Sequence, residues 1–97
     1  MFNFTVHIVT PDRIRELNKA HRGKDKATDV LSFPLLDIKA GQAPTRENFP
    51  LDFNPETGEI ELGDIVINQD EKEKEFLIQH GLQHLLGYHH DDHEEDK

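Results

Sequence analysis

The sequence predicts an α/β (α+β) fold, a small mixed β-sheet flanked by helices with a metal-binding histidine helix near the C-terminus. Three observations lead there. Residues 2–9, FNFTVHIV, alternate apolar and polar side chains with the period of two that marks a half-buried strand. Helically spaced apolar residues follow. Residues 62–67, LGDIVI, form a strongly apolar third strand that precedes a second helical pattern ending at Gly87. A few strands with helices between them point to this class, and 97 residues make at most one domain, residues 1–97.

Each element has its own signal. In the first strand Phe4, Val6 and Ile8 alternate with Asn3, Thr5 and His7. Thr10 followed by Pro11 is a capping residue before proline at the first helical position, and Ile14, Leu17 and His21 recur at helical spacing, so a short helix is expected over about 11–20. Arg22-Gly23-Lys24-Asp25-Lys26 reads as a turn, and Asp29–Pro34 as a second strand stopped by its proline. Residues 39–59 hold three prolines and two glycines with almost no periodicity, which predicts a long loop of the functional or disordered kind. Asn68 or Asp70 is positioned to cap the helix that carries Phe76, Leu77, Leu82, Leu85 and Leu86, and Gly87 supplies a left-handed stop. Residues 91–97 form an acidic tail.

Composition narrows the function classes. Hydrophobic residues make up 34% of the chain, a lean core. No run approaches the roughly 18 apolar residues needed to span a bilayer, and the N-terminus lacks a signal peptide's basic and small-residue flanks, so a cytoplasmic protein without a membrane partner is expected. The absence of cysteine removes disulfides and thiolate metal sites. The net charge of −9 disfavours generic nucleic-acid binding and DNA in particular, so a polyanion would need a local basic patch. One exists: residues 13–26 hold six Lys and Arg against two acids, whereas residues 69–97 hold nine acids against three lysines. Five of the seven histidines fall in the last eighteen positions.

The informative segment is HGLQHLLGYHH, residues 80–90. Histidines four apart share a helix face, so His80 and His84 can offer two imidazole nitrogens to one ion. Gly87 lets the backbone reverse and return a third ligand six residues beyond His84, the spacing HxxxHxxGxxH. His90 satisfies that spacing; His89 and His93 are rivals by composition. Three neutral histidines with an open fourth position describe a catalytic zinc site. Metzincin proteases share the spacing but place a general-base Glu where this chain has Gly81. A histidine-rich acidic tail that only scavenges metal is the plainer alternative. If the scissile group is a phosphodiester, its transition-state charge calls for an arginine fork, and Arg22 on the basic turn is the best-placed residue. Asp29 and Asp64 flank strands, where acids are more often turn and cap residues than catalysts.

LNKAHRGKDKATDVLSFP, LGDIVI and HGLQHLLGYHH, in this order and over 35 positions, closely resemble the signature blocks of the YbeY family of bacterial endoribonucleases, also called rRNA maturation factors. The resemblance implies a zinc-dependent, single-strand-directed endoribonuclease, a phosphodiester hydrolase acting in 16S rRNA 3′-end maturation and ribosome quality control. It implies one Zn²⁺ per chain on His80, His84 and His90, a catalytic, phosphate-facing role for Arg22, and ribosomal RNA of the small subunit as partner. In that reading Arg13, Arg15, Lys19, Lys24 and Lys26 recruit the RNA backbone. The chain departs from the family in carrying His89 where the block usually has aspartate, and in the twelve residues that separate Ile67 from His80, where a longer helical insertion is usual. It is identified as a shortened member, and a homo-oligomer that completes the lean core is a further expectation. The alternatives are a metal-stabilised, ribosome-associated binding module that cleaves nothing, and a metzincin-like peptidase.

Overall fold

The computed structural model describes residues 2–88, in the order β1 (Phe2–Val9), α1 (Pro11–Arg22), β2 (Val30–Pro34), β3 (Phe53–Asn54), β4 (Glu59–Asn68) and α2 (Lys74–Leu85). The mixed sheet and flanking helices are those expected from the sequence. β4 is the central strand: β1 runs parallel along one side of it, and the antiparallel β2 and β3 lie in tandem along the other.

β4 is longer than the apolar run, because Glu59, Ile60 and Glu61 extend it towards the N-terminus. Between Asn3/Glu61 and Thr5/Asp64, β1 advances two residues while β4 advances three, so β4 holds a bulge. The extra residue resets the alternation. Ile60 and Leu62 before the bulge, and Ile65 and Ile67 after it, therefore all enter one core, where they meet Val30, Leu77 and Leu85. Gly63 sits at the bulge with φ +144°, and a Cβ there would lie 2.3 Å from the Phe33 carbonyl oxygen, so no other residue fits.

The two helices cover opposite faces. On α1, Ile14 packs with Leu31 and Val66, joined by Val9, Leu17 and Phe33. The Thr10 hydroxyl accepts from the Arg13 N–H and Pro11 opens the helix, as expected. α1 runs two residues further than the spacing indicated. It ends at Arg22, and the Gly23 N–H bonds to the Lys19 carbonyl, so Arg22 belongs to the last helical turn rather than to the loop after it. On α2, Leu77, Gly81 and Leu85 form the buried stripe against the larger core.

Two further expectations are corrected. Neither Asn68 nor Asp70 caps α2, which begins at Lys74 after Glu73. Asn68 instead accepts from the Asp70 N–H and donates through Nδ2 to the Thr28 carbonyl, which ties the end of β4 to the start of β2. The segment 39–59 is not all loop. Phe53 and Asn54 pair with Ile60 and Glu59 as β3, and Phe49 and Phe53 pack on the core beside buried Leu36 and Ile38. Arg46 lies over the Phe53 ring, 5.3 Å from its centroid. Among the described residues no helix is long and apolar enough to cross a membrane.

Candidate functional site

The site on α2 follows from helical phase. The buried stripe Leu77, Gly81, Leu85 has beside it, one residue earlier in each turn, the stripe Phe76, His80, His84. That offset leaves both imidazoles half-buried at the rim of the core. The rings stand 4.6 Å apart between centroids and are inclined at 50° to each other, and Phe76 stacks on His80 at 6.3 Å. His84 Nε2 is shielded from solvent.

Position 81 faces the sheet. A Cβ there would stand 3.0–3.2 Å from three side-chain atoms of Ile65, so glycine is what lets this turn of α2 lie close on β4. A carboxylate at this position would be driven into the core. The metzincin arrangement, which needs a glutamate there, therefore has no place on this helix.

The end of α2 is built for a reversal. The Gly87 and Tyr88 N–H groups bond back to the His84 and Gln83 carbonyls, and Gly87 adopts φ +95°. A Cβ on Gly87 would lie 2.2 Å from the Ile38 carbonyl oxygen, so the turn is also pressed against residues 38–40. The left-handed stop expected at Gly87 is present. His90, with its rivals His89 and His93, and the acidic tail 91–97 lie outside the described residues. Among the described residues no three potential ligands converge on one point, and of the histidines expected as ligands His80 and His84 are the two described. Two imidazoles one turn apart, their ring centroids 4.6 Å from each other, are a donor set that fits zinc or another divalent transition metal.

Arg22 approaches from the other face. α1 starts beside the Asn68 end of β4, and its His21 ring reaches Phe33, 4.5 Å away, while α2 runs from the same end until Gly87 meets Ile38 and Ala40. Both helices thus finish at the Phe33/Gly63 end of the sheet. Burial lowers the Arg22 guanidinium pKa from its ordinary value, which still leaves it a cation at neutral pH.

The remaining basic residues are partly answered within α1 and its turn. Arg13 pairs with Glu16 at 3.2 Å, Arg15 Nε donates to Asp25 at 2.8 Å, and Lys19 reaches the same carboxylate at 4.0 Å. The Arg15 hydrogen bond and charge hold the Asp25 carboxyl below its usual range and raise the arginine in turn. Lys24 and Lys26 extend the same surface.

One constellation was invisible in the sequence. His7 Nε2 lies 2.9 Å from Asp64 Oδ1, in an open groove of about 490 Å³ whose wall includes Arg13, Leu17 and Phe33. The pair exists because the bulge sets Thr5 opposite Asp64 and so brings His7 diagonally next to it.

Fold and site together define a class: a small α+β domain whose last described helix presents a His-x-x-x-His pair, with an arginine in the closing turn of the helix on the other face of the sheet. The family model described as Endoribonuclease YbeY matches residues 1–97, and the chain belongs to that family. It is 39% identical to the Endoribonuclease YbeY of Acetivibrio thermocellus over 99% of this chain and 67% of that protein. With the proteins of the same name from Halalkalibacterium halodurans and Lysinibacillus sphaericus it shares 36% and 39% identity, over 99% and 96% of this chain. It spans only 64% and 62% of their lengths.

Proposed function

We propose that this chain is a metal-dependent endoribonuclease that cleaves single-stranded RNA, with small-subunit ribosomal RNA as substrate in 3′-end maturation and ribosome quality control in the cytoplasm. The observation that carries the reading is the half-buried His80/His84 pair followed by the positive-φ turn at Gly87. Membership of a family described as endoribonucleases supports the substrate class.

In this reading His80 and His84 hold one zinc ion, with His90 as third ligand. When bound, the ion supplies a water of lowered pKa and polarises the phosphodiester. The chain's own groups do the rest. The imidazoles bind as neutral donors, so binding weakens as acid protonates them. Arg22, in the last turn of α1, offers its planar fork to two phosphate oxygens and offsets the charge that builds up at phosphorus. Lys24 and Lys26, with the partly paired cations of α1, attract the RNA backbone, an attraction that salt weakens.

The test compares wild type with His84→Ala and Arg22→Ala, each freed of metal and then titrated with Zn²⁺, on a labelled single-stranded RNA. Cleavage that needs added metal and is lost in His84→Ala supports the proposal, and elemental analysis should give one metal per wild-type chain. Cleavage that persists unchanged in metal-free His84→Ala overturns it.

A further inference from the structure

Phe76 is the aromatic residue of α2 that the core does not use. Among the described residues it belongs to neither apolar cluster, and it stays 64% exposed although Leu77 beside it is buried. A single exposed apolar side chain is ordinary. Phe76 differs in being held in place. It lies on the stripe of α2 that carries His80 and His84, and its ring stacks on His80 at 6.3 Å between centroids with 17° between the planes. His80 and His84 continue the file at 4.6 Å. Phe76 ends that file, with one face of its ring against His80 and the other towards solvent.

The first turn of α2 forms an open hollow of about 580 Å³ beside this ring, lined by Lys72, Glu73, Lys74, Glu75, Phe76 and Gln79. Its two lysines and two glutamates cancel, and Lys74 is tied to the Glu71 carbonyl, so the hollow is poorly suited to a phosphate. What it offers is an aromatic face with hydrogen-bonding groups around it. The Gln79 amide both donates and accepts, and the glutamates accept. These groups match a nucleobase, an uncharged ring with π faces and a rim of donors and acceptors. Single-stranded RNA presents its bases unstacked, and aromatic side chains receive them.

We propose that Phe76 is a stacking platform for one base of the RNA, which positions the strand over His80 and His84. The inference rests on the nuclease reading of that pair and adds the group that holds the substrate's base beside it. Four residues at 1.5 Å rise put Phe76 about 6 Å from His80 along α2, the scale of one nucleotide. The base it holds therefore belongs to a nucleotide next to the phosphate at the histidine pair. Stacking is tolerant of base identity, because every base has a π face, so Phe76 contributes affinity and register rather than sequence preference.

Two measurements on the full chain test this. In steady-state cleavage of a short single-stranded RNA by the zinc-loaded chain, Phe76→Leu should raise KM about tenfold with kcat within about twofold of wild type, and Phe76→Tyr, which keeps an aromatic face, should restore KM. Zinc content and melting temperature should match wild type in both variants. The chain has no tryptophan, so Phe76→Trp places a single reporter at the platform. Its emission should be quenched on rapid mixing with the same RNA, before turnover. The quench should vanish when one position of the strand is made abasic, and should change little when the base there is exchanged for another. Metal-dependent cleavage at wild-type KM in Phe76→Leu, a KM that Phe76→Tyr fails to restore, or a rise in KM traced to lost zinc would each overturn the platform and leave the nuclease reading intact. Quenching by an RNA that the wild type does not cleave would support the platform and overturn the nuclease reading.

Discussion

Replacing Gly81 by alanine sets two opposed terms against each other at the histidine helix. Alanine in a helix interior is favoured over glycine by about 1 kcal/mol, since glycine loses more backbone entropy on folding. Against this, the added Cβ would meet Ile65 Cγ2 at 3.0 Å, Cδ1 at 3.1 Å and Cγ1 at 3.2 Å, and Ile65 is fully buried with nowhere to move. Overpacking of this kind costs about 1–3 kcal/mol, so Gly81→Ala is expected to destabilise by about 1 kcal/mol, a fall in melting temperature of roughly 4–8 °C. The sharper number comes from a double-mutant cycle. Ile65→Ala removes all three contacting atoms and by itself should cost about 2–5 kcal/mol. In that background the methyl added at position 81 enters the vacated space and keeps its helical advantage, so Gly81→Ala becomes stabilising by about 1 kcal/mol. The coupling energy is then about 2 kcal/mol, well outside the roughly 0.5 kcal/mol seen for independent sites. Urea unfolding followed by far-UV circular dichroism is the suitable assay, as the chain has no tryptophan. Additive effects, or a Gly81→Ala protein stabilised by the full helical advantage in the wild-type background, would refute the close-approach argument.

Three other outcomes are expected. Gly87→Ala combines a positive φ with a Cβ 2.2 Å from the Ile38 carbonyl oxygen, and should cost about 3 kcal/mol or more in urea unfolding while lowering zinc affinity measured by competition with a chelator. Asn18 is fully buried and donates to the Lys26 carbonyl at 3.0 Å, so Asn18→Ala should cost about 1–3 kcal/mol and speed amide exchange through residues 23–26, which follow Arg22. The Asp25 carboxyl, held low by the Arg15 hydrogen bond and charge, contributes stability that is present above the ordinary carboxylate pKa and lost as pH falls through its depressed folded value. Asp25→Asn should therefore flatten the acid limb of a melting-temperature profile, with only a small effect at neutral pH that high salt removes, because the pair is exposed.

What could be read from the sequence was whatever depends on neighbours along the chain. The Thr10-Pro11 helix start, the alternation of β1, the apolar run of β4 and the turn at Gly87 are local signals, and each was found at its place. The His80/His84 pair is of the same kind, since one helical turn sets both its spacing and its distance from the core. Features that depend on register were not legible. β3 is two residues long and exists only because Ile60 and Glu59 offer a ladder to Phe53 and Asn54. Asn68 has a side chain suited to capping a helix, yet Thr28, forty residues away, supplies the better partner. His7 and Asp64 meet through a parallel pairing and a bulge, and no window on the sequence contains both.

The bulge at Gly63 links these observations to the site. Were all the residues of β4 to run as a regular strand without the bulge, Ile65 and Ile67 would turn to the α1 face and Asp64 and Val66 to the α2 face, because a slip of one position exchanges the faces of every later residue. α2 would then lose Ile65, the side chain on which Gly81 rests, and the histidine stripe beside it would lose its place at the rim of the core. The fold therefore positions His80 and His84 through two glycines that meet across Ile65: Gly63, which turns Ile65 towards α2, and Gly81, which lets α2 settle on it. Replacing Gly63 by valine, whose Cβ would lie 2.3 Å from the Phe33 carbonyl oxygen, forces β4 out of the bulge and should accordingly weaken zinc binding, read by chelator competition, while leaving every proposed ligand in the chain. Zinc affinity unchanged by that substitution would show that the histidine helix keeps its place without the bulge.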